Sequence, residues 1–204
     1  PLHIETIQNG YPKKSLTRRN TGYALDYLIA EENDAGINLC QLLAGSEGTL
    51  AFVTEAKLNL LPLPPKEEVL ICVHFSSLEE ALVANLIILQ HQPAASELVD
   101  KYILDFTKEH ATYQHNRFFI EGDPEAILMV EFFADSPDVL SVKTQALIDN
   151  LKAAGLGYAY PVVTGKQTRL AWDVRKAGLG LIRNLPGDNQ PVNLIEDCAV
   201  SPED

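Results

Sequence analysis

The sequence predicts an α+β fold in which helices pack on a mainly antiparallel sheet, and three observations carry that prediction. Beyond residue 65, short apolar runs alternate with longer amphipathic ones in the order β-α-α-β-α-β-α-β. The links between them are short, which fits one antiparallel or mixed sheet. Pro62, Pro64 and Pro65 fall where neither a ladder nor a helix interior can continue, and they divide the chain into a first part, residues 1–65, and a second, residues 66–204.

In the first part, residues 1–20 read as irregular: Asn9-Gly10 and Tyr11-Pro12 are turn signals, and Arg18-Arg19-Asn20 is a charged stretch. Thr21-Gly22-Tyr23 opens a helical segment with Leu25, Leu28 and Ile29 spaced for one face. An acidic loop, 31–36, and a short helix, 38–43, deliver the chain to Gly45. From 50 to 60 apolar residues alternate with Glu55, Lys57 and Asn59, which predicts one long strand or two consecutive ones.

In the second part, residues 69–75 form an apolar strand, and Ser76-Ser77-Leu78-Glu79-Glu80 reads as a helix cap followed by first-turn acids. That helix runs to about residue 90 with Leu82, Leu86 and Leu89 on its expected buried face. Residues 96–110 carry Leu98, Tyr102 and Phe106 at helical spacing. The remainder reads as strand 127–133, helix 135–154, strand 157–163, helix 168–184 and a final strand 192–200.

Composition narrows the function. A chain of 204 residues with 46% hydrophobic content can bury a substantial core. A net charge of −12, with Lys13-Lys14 and Arg18-Arg19 as its only basic clusters, argues against nucleic acid and anionic membrane as partners. Cys40, Cys72 and Cys198 are odd in number and widely spaced, which suggests reduced thiols in a cytoplasmic protein. There is no apolar run of transmembrane length and no signal-peptide pattern. His3, His74, His91, His110 and His115 lack metal-ligand spacing, so no metal site is expected within this chain. The chain opens on Pro1 and stops at Pro202-Glu203-Asp204, and both ends lead us to expect a piece of a longer protein.

Gly45-Ser46-Glu47-Gly48-Thr49-Leu50 is the first stretch with chemical content. Gly45 and Gly48 lack Cβ, so their backbone can take positive φ and a phosphate or ring can approach the N–H groups. Ser46 and Thr49 add short hydroxyl donors, whereas Glu47 suits a ribose or an amine better than a bare phosphate. By itself the stretch is equally an ordinary tight turn before a strand.

Its surroundings are more specific. Asn20-Thr21-Gly22-Tyr23, then Leu42-Leu43-Ala44-Gly45-Ser46-Glu47-Gly48-Thr49-Leu50-Ala51-Phe52-Val53-Thr54-Glu55-Ala56, then Leu61-Pro62-Leu63-Pro64-Pro65, resemble the FAD-linked oxidases of the D-lactate, glycolate and D-2-hydroxyglutarate dehydrogenase type. The resemblance implies the C-terminal part of a PCMH-type FAD-binding domain of the vanillyl-alcohol-oxidase-like fold in residues 1–65. A truncated substrate-cap domain, the FAD-linked oxidase C-terminal domain, would then occupy 66–204. It implies that Asn20, Thr21, Gly22, Gly45, Ser46, Glu47, Gly48, Thr49, Phe52 and Val53 line FAD. Ala51 stands where many relatives have Gly, which makes the approach there less permissive. The extra segment from about Tyr27 to Gly36 resembles the large members that continue into an iron-sulfur domain.

The second candidate is Trp172-Asp173-Val174-Arg175, where a guanidinium fork one turn from an indole offers a planar carboxylate a charged grip beside an apolar wall. Arg169, Asp173, Arg175 and Lys176 could equally form surface ion pairs. The resemblance implies that Arg175, with Trp172, binds the substrate carboxylate. Leu179 and Ile195 stand where D-2-hydroxyglutarate-specific relatives carry a hydroxyl residue and a lysine, which counts against that substrate. Glu196-Asp197 resembles the family's acidic pair after the cap, with a structural and a catalytic role both open.

The resemblance places the base, the metal ligands and the pyrophosphate loop outside this chain. The expected parent is a dehydrogenase that oxidises a D-2-hydroxy acid to the 2-oxo acid and passes electrons through FAD to an iron-sulfur centre or another acceptor. The fragment is expected to be inactive and not to retain FAD. The metal ion and iron-sulfur cluster are expected in the parent only, with a homo-oligomer and a peripheral place at the inner membrane as further implications. The alternative is a non-catalytic folded cap or interaction module without FAD.

Overall fold

The computed structural model describes residues 3–13, 15–16, 22–29, 38–108, 110–183 and 200–203. The chain divides into two units, Pro1–Leu61 with Asn193–Asp204, and Pro62–Val192.

In the first unit, α1 spans Ile4–Gly10, where an irregular segment was expected; Glu5 sits in its first turn and complements the positive helix end. The turn signals Asn9-Gly10 and Tyr11-Pro12 mark its end instead of a continuous loop. Helices α2 (Leu25–Ile29) and α3 (Leu39–Ala44) fall where the apolar spacing put them. The Asn38 side chain accepts from the Cys40 backbone N–H at 3.1 Å and so caps α3.

The strand expected over residues 50–60 is not formed. Residues 51–65 join no ladder among the described residues, and Phe52, Leu58 and Leu60 are almost wholly exposed. Alternation specifies a face but supplies no partner, and an extended segment becomes a strand only where another donates hydrogen bonds to it.

The second unit is built on a four-stranded sheet in the order β2-β3-β1-β4, from strands β1 (Glu67–Phe75), β2 (Ala95–Asp100), β3 (Ala126–Ala134) and β4 (Val162–Thr164). Every neighbouring pair is antiparallel, with β1 and β3 central and in register from Glu67↔Ala134 to Phe75↔Ala126. The connections form two interleaved split β-α-β units. The expected antiparallel α+β architecture is therefore the one observed.

Helices α4 (Leu78–Gln90) and α6 (Pro137–Ala153) cover one face of the sheet, where Ile71, Val73, Phe75, Leu128, Val130 and Phe132 meet Ala84, Ile88, Leu147 and Leu151. Helices α5 (Lys101–Lys108) and α7 (Lys166–Arg183) cover the other, against Leu70, Cys72, Ile127 and Met129. Each fully buried aliphatic or aromatic side chain contributes about 1.5–3 kcal/mol, so the two central strands anchor the unit. The face of α4 differs from expectation: Ala81, Ala84 and Ile88 are buried while Leu82 and Leu89 remain exposed, at 57% and 39%. Small residues let the helix lie close to the sheet, and the larger leucines are displaced from the contact.

The expected helix over 96–110 is instead β2 followed by α5. Asp100 ends the strand and caps the helix, its Oδ1 accepting from the Ile103 N–H at 3.1 Å. Leu98 then packs in the α4–α6 layer, Ile103 and Leu104 pack in the α5–α7 layer and Tyr102 is exposed, so the apolar residues expected on one face do not share it. The strand expected at 157–163 is reduced to β4, with one isolated bridge between His74 and Ala159. The strand expected at 192–200 lies, up to residue 199, outside the described residues. Among the described residues no helix is long and apolar enough to cross a membrane.

Candidate functional site

The glycine-bracketed turn differs from expectation at Gly45, whose φ is −97°, the left-handed conformation falling on Glu47 and Gly48 instead. Glu47 and Gly48 both have positive φ, 49° and 76°, so two successive peptide units turn their N–H groups the same way. Ser46 N–H and Thr49 N–H close the turn on Leu43 O and Ser46 O at 3.1 and 2.9 Å. Among the described residues no such bond engages the N–H groups of Glu47 and Gly48, two adjacent backbone donors that a ligand could use.

The two hydroxyls are used differently from expectation. Ser46 is buried, with its Oγ donating to Leu43 O at 2.9 Å, and Thr49 Oγ1 donates to Ser46 O at 2.6 Å. Both brace the turn and are not free donors. Tyr23 reaches Thr49 at 2.5 Å, and a Cβ placed on Gly45 would lie 2.1 Å from Gly22 O. Gly22-Tyr23 and Gly45–Thr49, distant in sequence, are thus packed together with no room for a side chain at Gly45. Phe52 and Val53 are exposed in the unpaired segment that follows. Asn20 and Thr21 lie outside the described residues.

This geometry fits an anionic cofactor edge held by main-chain donors: two free N–H groups, a glycine-only approach and no lysine or arginine in the turn. Glu47 is the unfavourable element for phosphate and is exposed. The groups that could hold such a cofactor edge are the backbone N–H groups of Glu47 and Gly48, with Gly22 and Gly45 giving clearance.

In the second unit, α7 buries Thr168, Ala171, Val174 and Ala177, spaced at intervals of three along one stripe. Trp172 and Arg175 flank that stripe on one side and are partly buried. Trp172 Nε1 donates to Glu131 Oε1 at 2.9 Å, and Arg175 Nη2 donates to Glu97 Oε2 at 3.1 Å. Glu131 on β3 pairs opposite Ala95, and Glu97 on β2 opposite Met129, so the two acids are diagonal neighbours. Both stand on the sheet face that α5 and α7 cover.

The structure thus brings the predicted Trp172 and Arg175 together with two carboxylates not identified from sequence. Glu131 had a readable signal, since an acid inside the apolar run Ala126–Ala134 must find a buried-side partner. Glu97 had none once its segment was read as helix.

Arg175 and Glu97 are each close to half exposed, 42% and 44%, and Arg175 Nε is buried without a partner. Such a pair contributes about 0–1 kcal/mol, so a competing carboxylate can share or displace it at low cost. A groove of about 740 Å³ opens elsewhere, on the α6 side, lined by Val69, Leu140, Thr144, Ile148 and Val162; no predicted site residue lines it. Among the described residues no three His, Cys, Asp or Glu side chains gather as a metal site.

Comparison with known proteins agrees with the sequence resemblance. Residues 64–204 match the family "FAD linked oxidases, C-terminal domain". A D-2-hydroxyglutarate dehydrogenase of Pseudomonas putida is 35% identical over 207 residues, covering 98% of this chain and 20% of that protein. One of Escherichia coli K12 is 30% identical over 209 residues, with 98% and 20% coverage. The glycolate oxidase subunit GlcD of Bacillus subtilis is 25% identical over 169 residues, covering 81% of this chain and 33% of the subunit. The chain spans about a fifth of the length of the dehydrogenases it matches.

Proposed function

We propose, from the premise that the chain belongs to the FAD-linked oxidases by its C-terminal domain, that the whole protein is a flavin-dependent dehydrogenase oxidising a D-2-hydroxy acid to the 2-oxo acid. The observation that carries the reading is Arg175, a partly exposed guanidinium one helical turn from Trp172, tied among the described residues through Nη2 alone. Its remaining Nη hydrogens can take a carboxylate. Holding the acid by its carboxylate fixes the position of C2, which turns an encounter into an oriented approach. FAD, when bound, supplies the two-electron acceptor.

The turn Gly45–Thr49 is proposed to contribute part of the FAD wall through its backbone, with Asn20, Thr21, Gly22, Phe52 and Val53 nearby. Residues 1–65 and 66–204 are proposed as the corresponding flavin and cap domains. Electrons are proposed to leave through an iron-sulfur centre or another acceptor, in a cytoplasmic protein. The relatives' names put D-2-hydroxyglutarate first among substrates, whereas Leu179 and Ile195 are residue types that offer no polar group to a second carboxylate. A chain covering a fifth of its relatives is proposed to be inactive alone.

The test is Arg175→Ala in the full-length protein loaded with FAD. Losing a charge-assisted contact of ~3 kcal/mol lowers kcat/KM by about 10²-fold or more. An unchanged kcat/KM would sink the carboxylate role.

A further inference from the structure

We propose that Glu97 is a positioning residue for Arg175, holding the guanidinium in the orientation from which it takes the substrate carboxylate; the inference rests on the reading of Arg175 given above. An arginine on a helix surface samples many rotamers, and each must be frozen when a carboxylate binds. Among the described residues Glu97 is the polar partner of Arg175, and it engages Nη2 alone at 3.1 Å. A guanidinium carries five N–H donors in a fixed plane, so one contact at Nη2 restrains its rotation while leaving donors for a second carboxylate.

The anchor is itself rigid. Glu97 lies on β2 in a ladder that runs from Ala95↔Glu131 to Asp100↔Ala126. One helical turn before Arg175, Glu131 holds Trp172 at 2.9 Å, so the rotation of α7 is pinned independently. The helix being set by Trp172, the contact to Glu97 decides the direction of the arginine side chain and little else. A partner that occupied the whole fork would block substrate. A single half-exposed contact restrains without blocking.

The experiment is a double-substitution cycle in the full-length, FAD-loaded protein. Glu97→Leu raises KM for the hydroxy acid about fivefold, with kcat changed by less than about twofold. Glu97→Gln, whose amide oxygen still accepts from Nη2, stays within about threefold of the parent KM. In an Arg175→Ala background Glu97→Leu adds nothing, because the residue it orients is gone. A lowered or unchanged KM in Glu97→Leu overturns the proposal, as do effects that add in the double variant. If Arg175→Ala itself leaves KM untouched, the functional reading fails instead and takes this inference with it. A second readout needs no turnover: in nitrogen-15 spectra of the chain, guanidinium rotation of Arg175 is slowed by Glu97 and freed by Glu97→Leu. Equal rotation in both would refute the tether.

Discussion

The phenolic oxygen of Tyr23 lies 2.5 Å from Oγ1 of Thr49, and because Thr49 already donates to Ser46 O at 2.6 Å, the phenol is the donor. Tyr11 OH in turn donates to Tyr23 O at 2.6 Å. A short chain of hydroxyls therefore joins the Gly22-Tyr23 stretch to the glycine turn, and the clearance at Gly45 depends on that closeness.

Gly45→Ala should open this junction. The added methyl meets the Gly22 carbonyl at 2.1 Å, a backbone atom that cannot rotate aside. Overpacking of this kind costs about 1–3 kcal/mol. Gly10→Ala, with nothing within 4 Å, is the control and should stay within about 0.5 kcal/mol of the parent. Proteolysis rates within the first unit, measured side by side, decide it; equal rates would show that the two stretches are not packed as described.

Glu80→Ala should destabilise the second unit by about 1–2 kcal/mol. Its Oε2 accepts from Ser76 N–H at 3.1 Å, capping α4, and its Oε1 accepts from Gly157 N–H at 2.7 Å, pinning the loop before β4. Hydrogen bonds to a charged acceptor are each stronger than neutral ones, and the part-buried Gly157 N–H would be left unpaired while the exposed Ser76 N–H turns to water. Urea denaturation reads the loss. A change below about 0.5 kcal/mol would mean that water replaces the carboxylate without cost.

His74 should make the fold less stable below neutral pH. The ring is fully buried, with Nδ1 2.8 Å from Cys72 O and Nε2 accepting from Glu121 N–H at 3.1 Å, so the neutral tautomer carries its proton on Nδ1. Burial lowers the imidazole pKa from 6.5, opposed by the Cys72 carbonyl and the Glu121 charge. The unfolded chain therefore binds more protons than the folded one just below pH 6.5. Stability is fully present above that value and is lost as pH falls through the lowered folded value. Melting temperature against pH for the parent and His74→Gln tests this. Identical slopes in the two would remove His74 as the cause.

The readable parts of the sequence were those whose signal is local. Residues 69–75 and 127–133 appear as near-continuous apolar runs, interrupted by His74 and Glu131, because helices cover both faces of the sheet. The cap at Ser77 was legible from Ser77 and Glu80, whose contact spans three residues at 3.1 Å. The paired role of Glu80 with Gly157 was not, since those residues are 77 apart. β2 was missed because an edge strand carrying Ser96 and Glu97 lacks the apolar continuity of the central strands.

By itself the sequence determined which groups are present: a glycine-bracketed turn at Gly45–Gly48, a Trp172–Arg175 pair one helical turn apart, and no metal-ligand spacing among its histidines. Tertiary structure alone decided what those groups meet. Glu97 is 78 residues from Arg175 and Glu131 is 41 from Trp172, and both pairs form only because the ladder sets the two acids diagonally beneath α7. Side chains so far apart are brought within hydrogen-bonding distance by strand register, a cooperative property of the sheet that no window of sequence contains.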